Sequence, residues 1–122
     1  MEDNAHAIAT AYLDSWKAHD WDTLRGLLAD DVTFHGVLGT TAGVDATLAG
    51  LQGMSRVVAD FHVHKRVAEG DATGWDVMTW YDFHTPVCDP LPTVNWSRIE
   101  NGRITAIHAV FDPRPLLEAQ GA

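Results

Sequence analysis

The chain has 122 residues, 46% of them hydrophobic, which suits one globular domain able to bury a core without staples. Its formal charge of −9 argues against nucleic acid and against an anionic membrane surface as partners. Cys88 is the only cysteine, so no internal disulfide can form; with an acidic N-terminus (MEDNAHAIA) lacking a signal core and no apolar run near ~20 residues, a cytoplasmic protein is expected.

In chain order, Asn4 to Lys17 is amphipathic. Ile8, Tyr12 and Trp16 recur every fourth residue with Ala5, Ala9 and Leu13 beside them, which predicts a helix ending at His19. Asp20 reads as the N-cap of a second helix, with Asp22 in its first turn and Leu24, Leu27 and Leu28 facing inward. Asp30-Asp31 punctuate, and Val32–Val37 reads as a strand. Gly36 and Gly39 mark a bend. Val44, Leu48, Leu51 and Val58 outline a third helix, weakened by Gly50 and Gly53.

From Phe61 the period changes to two. Phe61–Ala68 reads as a strand, Glu69-Gly70-Asp71 as a turn, and Thr73–His84 as a long strand. Thr85–Pro92 holds three prolines and is expected to be a loop or an edge crossing. Thr93–Ile99 and Arg103–Phe111 flank Asn101-Gly102, a strong hairpin signal. Asp112-Pro113-Arg114-Pro115 stops the last strand, and Leu116–Gln120 reads as a short helical tail. Helices followed by an antiparallel sheet make an α+β pattern. A curved sheet wrapped around the helices would leave a cavity between them.

The segments AYLDSWKAHDWDTLRGLLADDVTF, VAEGD (Val67–Asp71) and NGRITAIHAVFD (Asn101–Asp112) resemble the nuclear transport factor 2-like superfamily, and within it the SnoaL-like small proteins, ketosteroid isomerases and limonene epoxide hydrolases. The resemblance covers essentially the whole chain. It implies a cone-shaped α+β roll, with N-terminal helices packed on a curved, mostly antiparallel sheet. It also implies a homodimer formed through the convex sheet face. For activity it implies less, since one fold hosts many functions.

Tyr12 falls on the isomerases' oxyanion-hole tyrosine. Their general base, an aspartate on the first strand, is here Gly36, and their second oxyanion donor falls near Asn95. The aspartate used by SnoaL-like cyclases and epoxide hydrolases is here Ala109. The hydrolases' Arg/Asp pair falls on Asp76 and Met78. None of the three catalytic sets is complete.

If the chain is an enzyme, its proton-transfer group must come from elsewhere. Asp76 shares a strand face with Met78, Trp80 and Asp82. If that face looks into the cavity, Asp76 would be desolvated and suited to act as base or acid. Tyr12 and Asn95 would then donate hydrogen bonds to a developing oxyanion. Trp16, Phe34, Met78, Trp80, Ile107, Ala109 and Phe111 are the expected ligand-binding wall. Trp21, Trp75 and Trp96, the other tryptophans, read as core or interface residues.

His35 alternates away from Phe34 and Gly36 and reads as outward, unless a bulge turns it in. His62 and His64 share a strand face and could hold a metal with His84 or His35, but no ligand-spacing motif supports this, and paired surface histidines are the preferred reading. Cys88 and His84 make only a weak nucleophile couple. Asp112, Arg114 and His108 read as structural. Neither metal nor cofactor is expected. The favoured function is a small-molecule enzyme using acid/base chemistry on a hydrophobic cyclic or aromatic substrate, of isomerase, cyclase or hydratase/hydrolase type. The alternatives are a non-catalytic domain that binds a hydrophobic ligand, and a dimeric assembly module.

Overall fold

A computed structural model describes residues 2–121. Helix α1 (Glu2–Lys17) buries Ala5, Ile8, Ala9, Tyr12, Leu13 and Trp16, the apolar stripe of the sequence. It stops because His19 takes a left-handed backbone conformation (φ 58°), and the Asp20 N–H donates back to the Ser15 carbonyl at 2.9 Å. Asp20 then caps α2 (Trp21–Leu27) by accepting from the Thr23 N–H, as its position predicts.

The strand after α2, β1 (Leu28–Gly36), begins four residues earlier than Asp30-Asp31 suggest. Those two aspartates sit exposed inside it, where a bulge between Leu28 and Thr33 relaxes the register. β2 (Gly39–Ala42) folds back on β1. Helix α3 (Val44–Met54) ends before Val58, its last turn closing on Ser55.

Next come β3 (Asp60–Gly70), β4 (Trp75–Thr85), β5 (Cys88–Glu100), β6 (Arg103–Val110) and a short α4 (Arg114–Gly121). The six strands form one mixed sheet in the order β2-β1-β6-β5-β4-β3, in which β1 and β6 alone are parallel. This is the α+β architecture expected from the sequence. Asn101 and Gly102, both with positive φ, close the β5–β6 hairpin.

The Pro-rich stretch corrects an expectation. Residues 88–92 belong to β5 rather than to a loop. They pair only with β4, because β6 reaches no further along β5 than Val94. Pro90 and Pro92 lie two apart, so both missing N–H groups can point to that unpaired side without losing a ladder bond.

Side-chain alternation sorts the sheet into two faces. On β4, Val77, Thr79, Tyr81 and Phe83 are buried under the helices. On β5 the same is true of Leu91, Thr93, Asn95, Ser97 and Ile99. α1 lies over β3 and β4, and α3 over β1 and β2. Among the described residues no helix is long and apolar enough to cross a membrane.

Candidate functional site: an apolar cavity between helices and sheet

Between α1, α3, the β1–β2 hairpin and the inner sheet face lies a cavity of about 270 Å³. Its walls are aromatic: Trp16 from α1, Phe34 from β1, Phe83 from β4, and Phe111 just beyond β6. Trp16 donates its indole N–H to the Leu51 carbonyl at 2.8 Å, which ties α1 to α3 and leaves its ring as a purely apolar surface. Phe83 and Phe111 stack nearly parallel at 6.4 Å. The hairpin tip, with Val37 and Leu38 exposed between Gly36 and Gly39, edges the mouth opposite Gly50 and Met54 of α3.

Two phenols enter this space. Tyr12 comes from the middle of α1 and Tyr81 from β4, and both are almost fully buried. Burial pushes the Tyr12 phenol well above its ordinary range, and the neighbouring Tyr81 adds to the effect. Burial raises Tyr81 likewise. Both are therefore neutral hydrogen-bond donors at any physiological pH. Asn95 also lines the cavity; one N–H of its amide goes to Ser97 Oγ at 3.1 Å, which orients the group and leaves it a second donor and its carbonyl. Three of the four lining threonines are already engaged. Thr41 and Thr47 share a hydrogen bond at 2.9 Å, and Thr93 donates to the Leu91 carbonyl. Among the described lining residues there is no carboxylate, imidazole, amine or thiol.

The structure thus brings Tyr12, Asn95, Trp16, Phe34, Ala109 and Phe111 together around one cavity. Four expected site residues lie elsewhere. Asp76, Met78 and Trp80 are on the outer face of β4, opposite to Tyr81 and Phe83. Asp76 accepts from the Trp96 indole at 3.0 Å and from Arg98 at 3.3 Å, inside an ion network that also holds Asp71 and Glu100. Met78 and Trp80 are 42% and 50% exposed. This overturns the expectation that Asp76 lies in the pocket as base. The alternation of the strand was read correctly, but its inward face is the one without the aspartate. Ile107 is fully buried in the core beside Phe34, its register partner on β1, and does not reach the cavity wall.

Tyr81 is the site residue that the sequence reading passed over. Its signal was the run Val77, Thr79, Tyr81, Phe83, more β-branched and aromatic than the Asp76 face and so better suited to burial. Gly36 and Ala109 both line the cavity, where the resemblance leads one to look for a catalytic aspartate. His35 is exposed on the outer face, stacked on His108 at 4.4 Å. His64 pairs with Asp82 at 2.9 Å, and among the described residues no three His, Cys, Asp or Glu side chains converge to hold a metal. Asp112 accepts from the Arg114 backbone and guanidinium, a local turn contact.

Helices laid on one face of a mixed sheet, with an apolar cavity enclosed between them, define a class of small α+β rolls. The chain belongs to the SnoaL-like domain family, whose pattern matches residues 9–107. Among solved structures it is similar to a protein from Kribbella flavida DSM 17836, with 29% identity, a TM-score of 0.83, and coverage of 94% of this chain and 92% of that one. It is similar in fold to an NTF2-like protein from Cytophaga hutchinsonii, with 24% identity, a TM-score of 0.77, and coverage of 90% and 91%. A steroid delta-isomerase from Pseudomonas aeruginosa shares the fold at 23% identity, a TM-score of 0.77, and coverage of 99% and 88%. Comparison with curated proteins finds no match.

Proposed function

We propose that this protein binds a small, neutral, hydrophobic cyclic molecule in the cavity, and that the ligand carries a carbonyl or similar oxygen held by the Tyr12 and Tyr81 hydroxyls. The observation that carries the reading is the combination of two neutral phenols with an uncharged, largely apolar and aromatic wall. A charged ligand would lose its hydration with no opposite charge to receive it, a cost of several kcal/mol. A neutral ring loses little and gains from area burial at roughly 25 cal/mol per Å². The volume lies at the small end of ligand cavities, suiting a molecule of one or two rings.

Of the activities that the family resemblance implies, isomerisation, cyclisation and hydration each move a proton near neutral pH. The described wall supplies polarising donors for that chemistry without a group that titrates there. Ligand binding is therefore the reading the geometry supports best. Calorimetric titration with a neutral bicyclic ketone, α-tetralone, tests it: saturable binding supports the reading, and no heat at millimolar ligand counts against it.

The same proposal includes a homodimer through the outer sheet face. Two side-chain rows cross four strands there in register: Lys65, Trp80, Val94 and Val110, and Val67, Met78, Trp96 and His108. Neither row contains an acid, in a chain carrying 17. An exposed apolar stripe of this kind, kept free of the chain's prevailing charge, suits a second copy of the same surface. The single thiol, Cys88, fits the reducing cytoplasm as the setting.

A further inference from the structure

Phe34 points inward from β1, between Thr41 of β2 and Ile107 of β6 in register. Two residues on, Gly36 shares its face, so a side chain at position 36 would project into the same cavity. That space is already filled. A Cβ built on Gly36 would lie 2.7 Å from Phe34 Cε1 and 3.4 Å from Cζ, against an ordinary carbon–carbon contact of about 3.5–4.0 Å. The phenyl ring is folded along the strand over the bare Gly36 backbone. It lines the cavity together with Val37 and Leu38 of the hairpin tip, both of which are exposed.

We infer that Phe34, seated over Gly36, is the specificity-determining residue of the cavity: it sets the upper size of the ligand, admitting one or two fused rings and excluding a four-ring molecule. The inference rests on the ligand-binding reading above. Gly36 serves it by being absent as a side chain, since any Cβ there drives the ring off its seat and into the ligand's space. The aromatic face also favours a flat ring over a bulky aliphatic cage, through stacking and edge contacts.

The test is calorimetric titration of α-tetralone and of progesterone, a four-ring enone with the same carbonyl handle, against the wild-type protein, Phe34→Ala, Phe34→Leu, Gly36→Ala and the Phe34→Ala/Gly36→Ala double variant. Wild type is expected to prefer α-tetralone by at least about tenfold. Phe34→Ala should raise progesterone affinity by about tenfold while weakening α-tetralone severalfold, and Phe34→Leu should move both in the same directions by less. Gly36→Ala should weaken α-tetralone severalfold, and that loss should vanish when Phe34 is already alanine, because the two positions act through one contact. Melting curves identify any variant that fails to fold, and the leucine variant decides the point if the alanine variant does.

Equal affinity of wild type for both ketones, or an unchanged ratio in both Phe34 variants, overturns the inference while leaving the ligand-binding reading standing. Binding of neither ketone by wild type overturns both.

Discussion

Tyr12 on α1 and Tyr81 on β4 line one cavity, both almost fully buried, and charge on Tyr81 would oppose charge on Tyr12. Both residues line the cavity walled by Trp16, Phe34 and Phe83, and the proposed ligand would take its hydrogen bonds from their hydroxyls. A neutral hydrogen bond contributes about 0.5–1.5 kcal/mol net. Tyr12→Phe and Tyr81→Phe should therefore each weaken α-tetralone binding between about two- and tenfold by calorimetry. Their thermal unfolding should shift by less than about 1 kcal/mol. A large loss of stability with unchanged binding would place the hydroxyls in the scaffold instead.

The same pair sets an alkaline signature. The chain has only these two tyrosines, so phenolate absorbance reports on them alone. Both pKa values are raised in the folded state above the ordinary 10.0. Their contribution to stability is therefore full below pH 10 and is lost as pH rises above it, while the unfolded chain releases protons that the folded chain keeps. Folded protein should show little phenolate at pH 10 and should ionise mainly on unfolding. Half-ionisation of the folded protein at pH 10 would refute the burial of both rings.

At acid pH the β3–β4 turn should weaken first. Asp71 accepts from the Thr73 and Gly74 N–H groups and from Arg98, and the Arg98 guanidinium foremost holds its carboxyl well below the ordinary 3.8. A depressed carboxylate stabilises the fold above its unfolded value and loses that contribution as pH falls below about 4. Asp71→Asn should lower the melting temperature at pH 7 and flatten its fall between about pH 4 and pH 2. An unchanged acid limb in the variant would contradict the role of this pair.

Outer-face substitutions should leave the cavity alone. Asp76→Asn should bind α-tetralone as wild type does, because Asp76 contacts Trp96 and Arg98 on the other side of the sheet. Trp80→Glu places a charge in the middle of the apolar stripe and should convert a dimer into a monomer by light scattering at micromolar protein. A wild-type monomer under those conditions would sink the dimer proposal.

The sequence carried most of the fold through local physics. The stripe in α1, the Asp20 cap and the Asn101-Gly102 turn are short-range signals, and each is found as read. Tyr12 and Gly36 were also legible through the gap-free likeness of the opening segment to the ketosteroid isomerases, and Ala109 through its place before the strand-ending Phe111-Asp112. Two readings failed where the decision was long-range. Whether the Asp76 or the Tyr81 face of β4 turns inward depends on where α1 and α3 lie, and the only local sign of it is the more β-branched and aromatic run Val77, Thr79, Tyr81, Phe83. Whether Pro90 and Pro92 can sit in a strand depends on where β6 ends, and it ends at Val110, opposite Val94. That Phe34 covers Gly36 is a rotamer fact, which the bare Gly36 backbone permits but the alternation of the strand does not by itself specify.

The most direct measurement is a crystal structure of the protein grown with α-tetralone. The ketone is predicted to lie against Phe34 and Trp16, with its oxygen within about 3.2 Å of the Tyr12 or Tyr81 hydroxyl. An empty cavity at saturating ligand, or the ketone seated on the outer sheet face around Trp80 and Trp96, would contradict the account.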